Sequence, residues 1–160
     1  MNEIVERLTK EHEDILQGLS IIEEALCGPT TRGDVWGVLQ TVLGLVDEKI
    51  EPHYLEEERI IFPELDKFPR KEPLVLAHLE HDDLETLLHL VNKHIASAVM
   101  YKDELLKRSA VQNVCLAINF IKQHFELEEE LIFPMISDLT KEQQEKILLA
   151  LKNFDGAELK

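Results

Sequence analysis

Two stretches of this chain have residue types and spacing that could do chemistry: HYLEEERIIFP at 53–63 and HFELEEELIFP at 124–134, 71 residues apart. Each carries a histidine followed four residues later by a glutamate, His53 with Glu57 and His124 with Glu128. On a helix, residues four apart lie within about 40° of one another on one face, one turn apart. Two further histidines precede these pairs at similar distances. KEHEDIL at 10–16 places His12 41 residues before His53, and LEHDDLE at 79–85 places His81 43 residues before His124. One such pair alone is an ordinary solvated i,i+4 contact. Two copies at matched distances from two Glu-His pairs describe a ligand set of four imidazoles and two carboxylates for one or two transition-metal ions. Imidazole nitrogen with carboxylate oxygen suits iron, manganese or zinc, and the lack of thiolates argues against soft-metal and iron-sulfur sites. Each carboxylate can bridge two cations, and six protein ligands for two metals leave positions open for dioxygen, peroxide, nitric oxide or an oxo bridge.

The neighbouring polar residues receive other roles. Glu56, Glu58, Glu126, Glu129 and Glu130 form a charge run that reads as a solvated face or as partners of the ligating groups. His78 and Glu85 share the helical face of His81 and are further ligand candidates, whereas His89 and His94 lie two to four turns beyond it. Tyr54 and Phe125, directly after the paired histidines, are expected to wall the cluster or fill an interhelical seam. Phe62 and Phe133 are expected in the core.

These residues need helices to bring them together, and the apolar periodicity supplies them. Ile4, Leu8, Ile15, Leu19 and Ile22 predict a helix over about 2–26, stopped by Cys27-Gly28-Pro29. A second runs from an Asp34 N-cap to Phe62, closed by Pro63, with a bend before His53 because Pro52 is interior. A third begins near Pro73 and ends near Tyr101. A fourth, from about Asp103, ends at Phe133 and Pro134. Thr140-Lys141-Glu142-Gln143 has the form of a capping box and opens a short helix over about 141–152. The expected fold is all-α: an antiparallel up-down-up-down four-helix bundle over about 2–134, with a short fifth C-terminal helix across one end, in a single domain of residues 1–160.

Composition narrows the partners. Seventeen basic against thirty-two acidic residues give a formal charge of −15, which repels phosphate backbones and anionic lipid surfaces, so neither nucleic acid nor membrane is expected as a partner. No apolar run approaches the roughly 20 residues that span a bilayer, and the charged start lacks a secretory pattern, so a cytoplasmic protein is expected. With 44% hydrophobic residues the chain can bury a core without a disulfide or structural metal. Cys27 and Cys115 form no CxxC motif and are expected as small core residues, pairing only if the fold joins them.

With these residues in view the chain resembles the hemerythrin family, specifically the HHE cation-binding domain, over about residues 1–136. The resemblance implies a four-helix bundle around a non-haem centre of two Fe ions, carboxylate- or oxo-bridged. His12, His53, His81 and His124 match its histidine ligands, and Glu57 and Glu128 match its bridging carboxylates. Oxygen-carrying hemerythrins use a further histidine where this chain has Ala77, and place the last carboxylate five rather than four residues after its histidine. The present set is more similar to the iron-sensing and iron-sulfur-repair branches. The expected function is therefore di-iron binding with open positions for a small diatomic or peroxide ligand, in binding, sensing or redox chemistry. The alternatives are an iron-responsive sensor or store acting through a protein partner, and a peroxidase or iron-centre-repair activity.

Overall fold

The computed structural model describes residues 2–29 and 33–158, with side chains through 155; the outermost residues of the expected 1–160 domain lie outside that range. Among the described residues the chain is helical with no strand. Five helices follow in order: α1 (Glu3–Leu26), α2 (35–65), α3 (Glu72–Tyr101), α4 (104–137) and α5 (Lys141–Glu158). The first four form the bundle, α1 packing on α2 and α4, and α3 on α4.

Local chemistry sets most boundaries where the sequence places them. The Asn2 side chain accepts from the Ile4 and Val5 N–H groups at the start of α1. Lys102, in the left-handed conformation at φ 49°, ends α3, and the Asp103 carboxylate accepts from Leu106 N–H to start α4. Thr140 and Gln143 bond reciprocally, at 3.0 and 3.2 Å, as a capping box requires. That helix runs to Glu158, beyond the expected Lys152. Asp34 precedes α2 in an extended conformation, but its carboxylate makes no capping bond.

The prolines act differently from the expectation. Neither Pro63 nor Pro134 closes its helix; α2 continues to Leu65 and α4 to Ser137. Each is preceded by a π turn, Glu57–Ile61 and Glu128–Ile132, in which Phe62 and Phe133 donate to carbonyls five residues back, those of Glu57 and Glu128. A third π turn, Val46–Ile50, precedes Pro52 in the same way, with Glu51 N–H on Val46 O. The wider turn displaces the carbonyl a proline ring would strike, so the helix absorbs the ring by widening rather than stopping. Where a bend was expected before His53, the helix carries this π turn and continues.

The core lies in two apolar layers. One contains Ile15, Leu19, Ile22, Leu84, Leu88, Val114, Ile118 and Ile121. The other, toward α5, contains Ile4, Leu8, Phe62, Leu74, Phe133, Ile147 and Leu151. The fifth helix is fastened there by Ile147 and Leu151 and by Lys146 pairing with the buried Glu64. Cys27 and Cys115 are only half-buried and bonded to each other, joining the end of α1 to α4 across 88 residues. This corrects the expectation of two core residues and meets the condition set for pairing: α1 and α4 are neighbours, and the two Cα atoms come within 5.8 Å.

Candidate metal centre

Between the two apolar layers, each bundle helix replaces an apolar position of its buried stripe with a polar one. On α1, His12 stands between Leu8 and Ile15; on α3, His81 stands between Ala77 and Leu84. His53 and Glu57 on α2, and His124 and Glu128 on α4, occupy the same layer, and all six are buried. Two groups of potential ligand atoms form, each with its atoms within 4.8 Å of one another: His12, His53, Glu57, Glu128 and Glu57, His81, His124, Glu128. Both carboxylates belong to both groups.

The atoms facing the interior converge without pairing properly. The Nε2 atoms of His12, His53 and His124, both oxygens of Glu57 and Oε2 of Glu128 are buried with no hydrogen-bond partner among the described residues. His124 Nε2 nevertheless lies 2.8 Å from Glu128, and His12 Nε2 lies 3.2 Å from it. His53 Nε2 is 3.5 Å from Glu57, and His81 Nε2 is 3.2 Å from each carboxylate. Buried polar atoms left this way cost free energy unless something between them accepts their lone pairs. A cation fits that requirement, and the nitrogen and oxygen donors suit a borderline transition metal.

The outward atoms are fully paired, and in a closed cycle. His53 Nδ1 donates to Glu11 at 2.8 Å, His81 Nδ1 to Glu58 at 2.6 Å, His124 Nδ1 to Glu80 at 2.8 Å, and His12 Nδ1 to Glu129 at 2.9 Å. Each helix supplies the carboxylate that orients the histidine of the next. Because a carboxylate only accepts, Nδ1 carries the proton and Nε2 turns inward as the ligating atom. The two hairpins contribute alike, Glu11 and Glu58 in one corresponding to Glu80 and Glu129 in the other. Glu11 and Glu80 are functional residues that ligand spacing in the sequence does not mark. Their signal was the Glu of each Glu-His pair, but its target lies on a different helix. Glu58 and Glu129, expected on a solvated face or as partners, are partners; Glu129 remains 48% exposed at its side chain.

Charge in this layer is high. Burial alone would lower the imidazole pKa values, but Glu57 and Glu11 outweigh it at His53, raising it to about 9. Burial is likewise outweighed at His81, which hydrogen bonds to Glu128, Glu57 and Glu58 lift to about 12, and Glu128 also raises His124. Burial opposes ionisation of Glu128, yet His12 and His124 hold it well below the usual carboxylate range. Glu58 is also lowered, against burial, by His81 and His78.

Aromatic rings seal the layer. Phe125 stacks on His12 with centroids 3.8 Å apart, Phe133 lies 5.4 Å from the same ring, and Phe62 stacks on His81 at 5.3 Å. Tyr54 meets His81 edge-on at 5.3 Å. The additional ligand candidates fall outside both groups. His78 bonds Glu58 and is 43% exposed at its side chain, Glu85 and His89 line an outer cavity beside Tyr54, and His94 bonds Ser109 and Asn113. Ala77, one turn before His81, is fully buried.

An all-helical bundle with a buried histidine-carboxylate layer defines a cation-binding helical protein. The family model "Hemerythrin HHE cation binding domain" matches residues 3–136, and the chain belongs to that family. No curated protein and no solved structure matches it significantly. Among the described residues no helix is long and apolar enough to cross a membrane.

Proposed function

We propose that the protein binds two non-haem iron ions, His12 and His53 serving one, His81 and His124 the other, and Glu57 and Glu128 shared between them. The observation that carries this reading is that both carboxylates belong to both ligand groups, which is the arrangement a two-cation centre requires. Electrostatics support it. Two inner and four outer glutamates face four imidazoles, so with neutral histidines the layer holds six formal negative charges, four of which two divalent ions offset. When bound, iron would supply redox capacity and coordination positions open to dioxygen, nitric oxide or peroxide.

The chain's own residues do the rest. Glu11, Glu58, Glu80 and Glu129 hold the Nδ1 protons and aim the Nε2 lone pairs. Phe62, Phe125 and Phe133 limit water and keep the local dielectric low. Cys27 and Cys115 do not compete as soft ligands, being bonded to each other about four turns beyond His12. We place α5 in the same domain, since its apolar face completes the layer over Ile4 and Leu8.

The test is to load the protein anaerobically with ferrous iron and expose it in turn to dioxygen, nitric oxide and peroxide while following visible absorption. A new absorption that reverses on removing dioxygen supports binding or sensing; irreversible oxidation with peroxide consumed supports turnover. A spectrum indifferent to all three ligands contradicts the proposal.

A further inference from the structure

The near-symmetry of the two hairpins exposes one feature that the ligand set does not require. Glu56 is 5% exposed, and its Oε2 has no hydrogen-bond partner among the described residues, although it is neither in a ligand group nor in the cycle of orienting carboxylates. Its counterpart, 71 residues on, is Leu127; the counterpart of Arg7, its ion-pair partner, is Leu76. Pro52 and the π turn Val46–Ile50 also lack counterparts, Gln123 standing in the proline position within an unbroken α-helical stretch. These departures coincide at a cavity of about 260 Å³, lined by Arg7, Glu11, Glu48, His53, Glu56 and Asp155. The cavity thus reaches a member of the first ligand group from outside the bundle, with Glu56 beside it.

Two of the protein's own cations, Arg7 and Lys49, line the cavity, and Arg7 is the one its carboxylates hold. The Arg7 guanidinium donates to Glu56 at 2.6 Å, to Glu11 at 3.0 Å and to both oxygens of Asp155 at 2.9 and 3.0 Å. Three carboxylates from α1, α2 and α5 therefore converge on one positive group. Asp155 is 49% exposed at its side chain and Arg7 is a long flexible side chain, so this contact is the one that can open.

We propose that this cavity is the port through which divalent metal ions reach the centre, with Glu56 passing the ion from the outer carboxylates to His53 and Arg7 acting as a gate latched by Asp155. The chemistry is ligand exchange alone. A hydrated cation displaces the guanidinium from the carboxylates, exchanges bound water for the Glu56 carboxylate with that water released to solvent, and moves to His53, after which Arg7 returns. The inference rests on the proposed metal centre, but its test separates the two. The larger cavity at the seam of α2 and α3, lined by Glu51, Tyr54, Glu85 and His89, serves as the control, because Tyr54 stands between it and His81.

The experiment is stopped-flow loading of metal-free protein with cobalt(II), and its release to a chelator, with folding checked by circular dichroism. Loss of a carboxylate from the path should slow Glu56→Gln loading roughly ten-fold while the final stoichiometry stays that of the wild type. Arg7→Gln and Asp155→Asn should speed both loading and release, and Glu51→Gln and Glu85→Gln should leave the rates unchanged. Wild-type rates in Glu56→Gln, Arg7→Gln and Asp155→Asn, or slowing confined to the Glu51 and Glu85 variants, would overturn the port and leave the centre standing. Failure of the wild type to take up metal would instead overturn the centre. If Glu56→Gln does not fold, Asp155→Asn decides, since that exposed side chain can be changed without disturbing the core.

Discussion

Glu80 provides the sharpest perturbation of the orienting cycle, because the one side-chain hydrogen bond it makes among the described residues is the one it accepts from His124 Nδ1 at 2.8 Å. Removing the carboxylate in Glu80→Ala frees His124 to rotate or to place its proton on Nε2, and it withdraws a negative charge that makes the imidazole a better donor. Loss of such a partner costs about 10–100-fold in metal affinity, or about 1.4–2.7 kcal/mol. His124 is in only one of the two ligand groups, so the loss should fall on one ion. Competitive titration with a chelator should show two equal or near-equal steps in the wild type. In Glu80→Ala one step should remain and the other weaken by that factor. Glu80→Gln, whose carbonyl still accepts the Nδ1 proton, should lie between. Glu126→Ala, an exposed change in the same charge run, should behave as wild type. Unchanged affinity for both ions in Glu80→Ala would refute the claim that the carboxylate cycle sets the inward donors.

Other outcomes follow from the same structure. Metal-free protein should be most stable between about pH 4.5 and 6.5. His53 is raised to about 9 and His81 to about 12, so their contribution is complete below the unfolded value near 6.5 and is lost as pH climbs through those folded values. Glu128 is lowered, so its contribution is present above its unfolded value and lost as pH falls; thermal melts across pH with and without metal check both limbs. Phe125→Ala should destabilise by about 3–5 kcal/mol in urea unfolding, because it removes a buried ring stacked on His12, whereas Phe125→Leu should cost well under half of that. Reducing Cys27–Cys115, which closes a loop of 88 residues, should lower stability by up to roughly 4–5 kcal/mol on chain-entropy grounds while sparing metal stoichiometry. A melt unmoved by reductant would contradict that.

The readable part of the fold was whatever repeats at helical period. The stripe Ile4, Leu8, Ile15, Leu19, Ile22 and its equivalents gave the bundle, and the six histidine and glutamate positions stood out because they interrupt or extend those stripes at matched distances. Features that depend on a neighbour's backbone or side chain were hidden. Pro63 and Pro134 looked like stops because a lone proline removes a hydrogen bond; the π turns that accommodate them are a property of the whole helix. Glu11 and Glu80 sit next to histidines in sequence but orient histidines of other helices. The Cys27–Cys115 bond depends on which helices become neighbours, and no spacing rule encodes that across 88 residues.

The central claim is that Glu57 and Glu128 are shared by two metal ions. Anaerobic ferrous titration of the wild type against Glu57→Ala/Glu128→Ala, with bound iron counted after desalting, tests it most directly. Two irons per chain in the wild type and loss of tight binding in the double variant are the predicted result. Equal iron content in both proteins, or a single iron in the wild type at saturation, would contradict it.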